Sequence, residues 1–154
     1  MRSLLVFIFL FAGVPVLAGE RLCLAEAIYF EGRDQSLRGQ LAIGVVVRTR
    51  MASTRYPSTA CEVTRQGHLG YPGRRRLYEC QFSYFCDGRR EQVVEGDDEA
   101  WRVAWNLAAF VLGTDISIDG FEGISHYHAA TVRPNWASRL TYRGRIGGHL
   151  FYAP

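Results

Sequence analysis

Hydrophobic positions recur with helical spacing over the first third of this chain of 154 residues. One face of the earliest stretch combines apolar side chains with a single glutamate, namely Leu24, Ala27, Ile28 and Glu31. This spacing predicts a first helix from about Arg21 to Gly32. A second helix is predicted to start after Ser36, a favourable N-cap residue, and to end near Met51. Its segment 41–47 is apolar nearly all round, which indicates burial in the core.

Two more helices are predicted further along the chain. A short one runs from Ser58 or Thr59 to Arg65, after a Tyr-Pro break. A longer one begins after Asp97 or Asp98 as N-cap and ends at Gly113. Its apolar stripe, which we assign to the core, comprises Trp101, Ala104, Trp105, Ala108 and Leu112.

The last third of the chain has a strand-like pattern. Two runs, Ile124–Ala130 and Arg145–Tyr152, are predicted as strands, whereas segment 66–96 is predicted to be irregular. Because side chains alternate along a strand, His126 and His128 are expected on one face. The pattern as a whole predicts a helix-dominated α+β domain with a small β-sheet from the C-terminal third.

The N-terminus has the features of a secretory signal peptide. A positive start, an apolar run over residues 4–11 and the small residues before position 19 predict a signal peptide at residues 1–18. Residues 19–154 then form one domain with no membrane span after cleavage, and the alternative is an uncleaved membrane anchor. We expect the protein in the periplasm or secreted.

The net charge of the chain mainly argues against one class of partner. The formal net charge is +3, which is too small to indicate nucleic acid as a partner. All basic residues are arginines, and their bidentate forks suit an acidic polymer.

Four cysteines, an even number, in an exported chain favour disulfides over a zinc site. Four cysteines allow three connectivities. Cys80 and Cys86 are spaced to close a small loop, in which case Cys23 would bond Cys61 and tie the first helix to the segment after the second. A zinc site would need close pairs such as C-x-x-C, which the sequence lacks.

Glu31 is the candidate with the clearest chemistry. It closes the apolar face of the first helix, so its carboxyl is expected at the rim of the core and partly out of water. Desolvation raises the pKa of a carboxyl group, and such a group is a usable general acid near neutral pH. The alternative is an ordinary solvent-facing glutamate at a helix end.

The chain also resembles a known family over nearly all of the predicted mature region. The similar segments are Leu24–Arg33, Gly39–Ala42, Val45–Val47, Tyr56-Pro57, Thr59–Val63, Cys80–Gly88, Ser125–Ala129 and Ile146–Tyr152. They resemble the SleB/CwlJ-type, spore-cortex-lytic cell wall hydrolases. The resemblance implies a lysozyme-like, lytic-transglycosylase-like fold and a monomer that acts on peptidoglycan without cofactor or metal. It also implies Glu31 as the acid/base that cleaves the β-1,4 bond between N-acetylmuramic acid and N-acetylglucosamine.

The resemblance suggests further substrate-binding residues. His126, Tyr127 and His128 are expected to line the cleft, and Gln81 and Ser83 to contact sugar from the cysteine-bounded loop. Stacking faces for pyranose rings are expected from Tyr29, Tyr127 and Trp136. One departure stands out: the family's usual Ala-Arg-Gly-Glu after the glutamate reads Gly-Arg-Asp-Gln at residues 32–35. We expect a structural or sugar-binding role at position 35.

Two alternative functions stay open at this point. A metal-dependent N-acetylmuramoyl-L-alanine amidase would use His126, His128 and His149 with Asp87 or Glu31, although no H-E-x-x-H motif is present. A non-catalytic peptidoglycan-binding or assembly module would explain the altered segment 32–35. Even within the glycosidase interpretation, a lytic transglycosylase and a water-using muramidase begin with the same acid.

Overall fold

The computed structural model describes residues 14–69, 75–88 and 92–154. Its helices are α1 (Val14–Gly32), α2 (Leu37–Met51), α3 (Ala60–Thr64) and α4 (Asp98–Gly113). The predicted helices are therefore all present, and α1 begins earlier than expected. Most of the predicted signal peptide, residues 1–13, lies outside the described residues.

Helix α2 forms where the sequence indicated because its N-terminus is capped. Ser36 accepts a hydrogen bond from the Gly39 amide at 3.3 Å, which satisfies one of the free donors of the first turn. Thr59 caps α3 in the same way, through the amide of Glu62 at 3.2 Å. Asp97 precedes α4 without a side-chain cap bond. Its carboxylate accepts from Tyr29 instead, at 2.7 Å.

Helices α1, α2, α3 and α4 enclose the first hydrophobic core. Its fully buried members include Leu24, Ile28, Tyr29, Ile43, Val47, Val63 and Val111. The helices approach closely at Gly44, where an added Cβ would lie 3.1 Å from Val111 and 3.2 Å from Ile28. Trp101 and Trp105 pack against this core as partly buried side chains, which agrees with their predicted role.

The C-terminal third forms a three-stranded antiparallel sheet. Its strands are β3 (His126–Ala129), β4 (Thr141–Ile146) and β5 (His149–Ala153), in the order β3-β5-β4. The prediction of one strand over Arg145–Tyr152 was wrong, since a turn at Gly147 divides this run between β4 and β5. Gly147 has φ +57°, a left-handed conformation that glycine adopts without strain. A two-stranded hairpin, β1 (Gly67–Leu69) with β2 (Arg75–Cys80), lies in the segment that was predicted to be irregular.

A second core joins this sheet to α2. It consists of Ala42, Val45, Val46, Ile118, Phe121, Ile124, Ile146 and Phe151. The predicted fold class, a helix-dominated α+β domain with a small C-terminal sheet, is confirmed. No helix in the described part of the chain is long and apolar enough to cross a membrane.

Two disulfides are present, in the pairing that the sequence favoured. Cys23–Cys61 joins α1 to α3 across a sequence separation of 38 residues. Cys80–Cys86 closes a loop with a separation of 6 residues, which contains the 3₁₀ turn Ser83–Cys86. Disulfides persist in oxidising compartments, so the pairing indicates an extracytoplasmic protein.

Candidate active site

Glu31 lies near the C-terminal end of α1, where its carboxylate accepts hydrogen bonds from two separate elements. One oxygen, Oε1, accepts from the amide of Ser83 at 3.1 Å and from its hydroxyl at 3.3 Å. The other, Oε2, accepts from the Tyr127 hydroxyl at 3.3 Å. Helix α1, the disulfide-closed loop and strand β3 therefore converge on one side chain.

Burial dominates the electrostatics of this carboxyl group. Desolvation raises the pKa of Glu31, while the hydrogen bonds from Tyr127 and Ser83 oppose the rise because they stabilise the charged form. Removal from water and the negative charge of Glu31 raise the pKa of Tyr127 well above its usual value, so its phenol stays protonated and remains a donor. The expectation that Glu31 lies partly out of water is met.

A cleft of about 500 Å³ opens beside Glu31. One wall consists of the end of α1 and the turn that follows it; the other consists of the β3–β5 side of the sheet. Its lining residues are Phe30, Glu31, Arg33, Asp34, Gln35, Ala129, Gly148 and His149. A groove of this size beside a carboxyl group with a raised pKa offers space for a polar ligand next to a candidate proton donor.

The segment that departs from the family pattern has defined contacts at this cleft. Arg33 donates to the Tyr29 hydroxyl at 3.0 Å and to Asp97 at 3.1 Å. Gln35 accepts from the Gly148 amide at 2.8 Å. Both side chains therefore connect the end of α1 to other parts of the molecule.

Of the predicted substrate-binding residues, Ser83 and Tyr127 contact Glu31 directly. His126 and His128 do not, because strand alternation turns them to the opposite face of β3 from Tyr127.

The two histidines have other partners. His126 lies 2.9 Å from the Ser125 hydroxyl and 3.3 Å from that of Tyr56. His128 is buried and lies 3.0 Å from the Tyr152 hydroxyl. The expectation that both histidines line the cleft beside Glu31 was wrong, since it placed three consecutive residues on one surface.

Two of the predicted stacking residues, Tyr29 and Trp136, do not face the cleft beside Glu31. The Tyr29 ring is completely buried, which leaves no face for a sugar, so the stacking role assigned to it was wrong. Its hydroxyl instead donates to Asp97, as described above. Trp136 packs against the rings of His126 and His128, with centroids 5.2 and 5.5 Å away, and so lies on the far side of the sheet from Glu31. Gln81 is exposed on the disulfide-closed loop.

The geometry does not support the zinc site of the amidase alternative. In the antiparallel register, His149 pairs with Ala129 and thus shares the Tyr127 face of the sheet, opposite to His126 and His128. Among the residues of the described ranges, no group of three or more His, Cys, Asp or Glu side chains could hold a metal ion.

His149 is a cleft residue that the sequence interpretation named only as a zinc ligand of the amidase alternative. Its ring lines the cleft and packs edge-on against Tyr127, with centroids 5.1 Å apart. It lies within one of the segments that resemble the family and within the predicted strand Arg145–Tyr152, but the strand pattern alone did not indicate that its side chain faces the cleft. Recognition of the Gly147-Gly148 pair as a hairpin turn would have brought it to the cleft wall.

Comparisons with known proteins agree with this architecture. Residues 34–152 match the family model described as Cell Wall Hydrolase, and the matched range begins just after Glu31. The crystal structure of the catalytic domain of the Bacillus cereus SleB protein is similar with a TM-score of 0.58 at 20% identity, over 88% of this chain and 90% of that one. The catalytic domain of the germination-specific lytic transglycosylase SleB from Bacillus anthracis is similar with a TM-score of 0.62 at 19% identity, over 86% and 93%. These two likenesses establish a shared fold. No curated protein sequence matches the chain.

Proposed function

Because the chain belongs to the cell wall hydrolase family, we propose that it cleaves the β-1,4 bond between N-acetylmuramic acid and N-acetylglucosamine in peptidoglycan. The observation that carries this proposal is the position of Glu31. Its carboxyl is partly desolvated, has a raised pKa and lines a cleft of about 500 Å³. These are the properties that a glycosidic acid catalyst requires.

The reaction proposed is that of a lytic transglycosylase. Neutral Glu31 donates its proton to the bridging oxygen as the bond from that oxygen to C1 of the muramyl residue breaks. The 6-hydroxyl of the same residue then bonds to C1, and the Glu31 carboxylate takes up the hydroxyl proton. The products are a free 4-hydroxyl and a 1,6-anhydro end, and no water is consumed. Glu31 is returned to its protonated form.

Two observations favour this route over a water-using muramidase. A structurally similar catalytic domain is described as a lytic transglycosylase. The transglycosylase also needs a single carboxyl group, whereas retaining glycosidases need a second as nucleophile. Among the described residues, the cleft lining holds one further carboxylate, Asp34, which is exposed and accepts a hydrogen bond from Gln35 at 2.9 Å.

We further propose the cellular context that this reaction requires. Residues 1–18 act as a signal peptide, residues 19–154 form the catalytic domain, and the mature protein works as a monomer in the periplasm or outside the cell. The two disulfides support an oxidising compartment.

The test is digestion of purified peptidoglycan, with mass spectrometry of the products. Wild-type protein is expected to release muropeptides lighter by one water molecule than those of a muramidase digest. Glu31→Gln keeps the shape of the side chain but has no proton to donate, so cleavage is expected to fall by at least about a thousandfold. Glu95→Gln, at an exposed loop position, is the matched control and is expected to leave cleavage unchanged.

Each alternative gives a different product pattern. Hydrated reducing ends would identify a muramidase, and intact glycan freed from peptide would identify an amidase. Binding without cleavage by the wild type would identify a non-catalytic module. Full cleavage by Glu31→Gln would rule out the proposed mechanism.

A further inference from the structure

The turn between β4 and β5 is fixed by a side chain from the other wall of the cleft. Gln35, in the connection between α1 and α2, accepts from the Gly148 amide through Oε1 at 2.8 Å. The carbonyl of Gly148 in turn accepts from the Ala130 amide at 2.8 Å. Both backbone polar groups of Gly148 are therefore held in place.

Gln35 is itself held by further hydrogen bonds. Its Nε2 donates to Asp34 at 2.9 Å, its amide donates to the Gly32 carbonyl at 2.8 Å, and its carbonyl accepts from Gln40 at 3.1 Å. With every polar group of this residue engaged, its side chain provides a rigid anchor rather than a mobile contact.

The turn is shaped to receive this side chain. A Cβ at Gly147 would clash with Oε1 of Gln35, so any larger residue would displace the oxygen. Gly147 also has φ +57°, which disfavours other residues independently. Two separate constraints thus require glycine where Gln35 docks.

The residue that the anchored turn presents is His149. It follows Gly148 directly, begins β5 and lines the cleft beside Glu31. Its ring packs edge-on against Tyr127, the residue whose hydroxyl donates to Glu31. This imidazole therefore lines the same cleft as Glu31 and contacts a side chain that is hydrogen-bonded to it.

The hydrogen-bonding state of His149 indicates what it does there. Its Nδ1 is buried and has no hydrogen-bond partner among the residues that the structure describes. A buried N–H without an acceptor costs more than a buried lone pair, so the proton belongs on Nε2. Nε2–H is then the ring group left to bond a ligand in the cleft. Burial also lowers the pKa of His149, which favours this neutral form.

We propose that His149 binds an acceptor oxygen of the glycan through Nε2–H, and that Gln35 is the positioning residue that holds it there by fixing the Gly147–Gly148 turn. The inference rests on the proposed function for the identity of the ligand. Two glycan groups offer the required oxygen: the acetamido carbonyl of either sugar and the lactyl carboxylate of muramic acid.

Binding is the primary test, measured by calorimetry in the Glu31→Gln background so that no probe is cleaved. The probes are a hexamer of N-acetylglucosamine, which has acetamido groups alone, and peptide-free glycan strands, which also have lactyl carboxylates. His149→Leu is expected to weaken binding about tenfold, and His149→Gln, which keeps an N–H near the Nε2 position, by less. Loss with both probes identifies the acetamido carbonyl, and loss with the strands alone identifies the carboxylate. Unchanged affinity for both overturns the proposal.

The role of Gln35 is tested by a double-mutant cycle with His149. Gln35→Leu removes the acceptor and is expected to weaken binding to the same extent as His149→Leu. The double variant should bind the probe no more weakly than either single variant, because both substitutions remove the same interaction between His149 and the glycan. Additive losses overturn the positioning role. Gln92→Leu, at an exposed loop position, is the matched control.

Amide exchange gives a readout that does not depend on sugar or on cleavage. Exchange of the Gly148 amide is expected to accelerate at least tenfold in Gln35→Leu and to stay slow in Gln35→Glu, whose carboxylate still accepts the bond. Unaltered exchange in Gln35→Leu overturns the anchor. If His149→Leu does not fold, His149→Phe replaces it, since a phenyl ring retains the packing on Tyr127. Should the wild type fail to cleave peptidoglycan, the proposed function is lost while exchange and binding still decide this inference.

Discussion

At the level of single residues, the site depends on opposing influences on Glu31. Burial raises its pKa, and the donors Tyr127 and Ser83 limit that rise. In the proposed mechanism, the first influence keeps a proton available for transfer, and the second stabilises the carboxylate that remains after the transfer. A general acid that must later act as a base needs both.

Tyr127→Phe tests this balance directly. Loss of the hydroxyl removes a donor to the charged form, so the pKa of Glu31 should rise further. The activity that requires protonated Glu31 falls as pH increases through that pKa, and the falling limb of the kcat/KM profile should therefore shift to higher pH. Rates at neutral pH are expected to change by about tenfold or less. A shift to lower pH, or none, would contradict the assignment of Tyr127 as a donor to Glu31.

Glu31→Gln should also stabilise the folded protein in a pH-dependent way. A carboxyl whose pKa is raised on folding carries no penalty below its unfolded pKa, where it is neutral in both states. The penalty begins as pH rises through the unfolded pKa, because only the unfolded state then ionises, and it is complete above the folded pKa. The variant should therefore unfold at higher urea than the wild type at pH 8, and this advantage should shrink at pH 4. Equal stability at both pH values would show that burial does not strain this group.

At the level of elements, one short strand and one short loop bring the hydrogen-bond donors of Glu31 to the end of α1. Strand β3 carries Tyr127, and the loop closed by Cys80–Cys86 carries Ser83. The other disulfide, Cys23–Cys61, joins α1 to α3 and has neither of its cysteines in the cleft. We therefore expect Cys23–Cys61 to contribute mainly to stability and Cys80–Cys86 mainly to the position of Ser83.

Removing each disulfide by Cys→Ser pairs should therefore give opposite rankings for stability and activity. From loop length, loss of Cys23–Cys61 is expected to cost about 4 kcal/mol of unfolding free energy, and loss of Cys80–Cys86 about 2 kcal/mol. Activity per folded molecule should fall further in the second variant, because Ser83 loses its fixed position beside Glu31. Urea unfolding and peptidoglycan digestion measure the two effects, and matching rankings would contradict this division.

The elements also show what sequence alone can predict. Helix α2 was predictable because a cap at Ser36 and continuous apolar spacing agree. The β4–β5 hairpin was missed because apolar residues flank Gly147 on both sides, so the run reads as one strand. The histidines of β3 were placed on one face correctly, but the face that meets Glu31 depends on pairing with β5, which local sequence does not specify. The partial burial of Glu31 was predictable from its helical position, whereas its hydrogen-bond donors lie 52 and 96 residues further along the chain.

At the level of the whole molecule, the cleft lies where two cores meet. The first core holds α1 and the second holds the sheet, and Tyr127 packs against both. The distance between Glu31 and its donors is therefore set by how the two cores fit together. A substitution that loosens the second core should therefore lower activity even when the substituted residue does not contact Glu31.

Phe151→Ala provides this test. Phe151 is fully buried in the second core and its ring centroid lies 5.7 Å from that of Tyr127. The truncation is expected to cost about 3–5 kcal/mol and to lower activity in the molecules that stay folded, because Tyr127 loses a supporting surface. Phe110→Ala is the matched control, since Phe110 is 47% exposed on α4 and should cost about 0.5 kcal/mol. Urea unfolding checks both, and comparable losses would contradict the assignment of Phe151 to the core.

The pleat of β3 has a consequence for how this segment can vary. Tyr127 and Ala129 face the carboxyl group, while His126 and His128 face a cluster of rings that includes Trp136 and Tyr152. In a library randomised over residues 126–129, two different screens should therefore constrain alternating positions. Screening for lysis would constrain the odd positions, and screening for soluble yield would constrain the even ones.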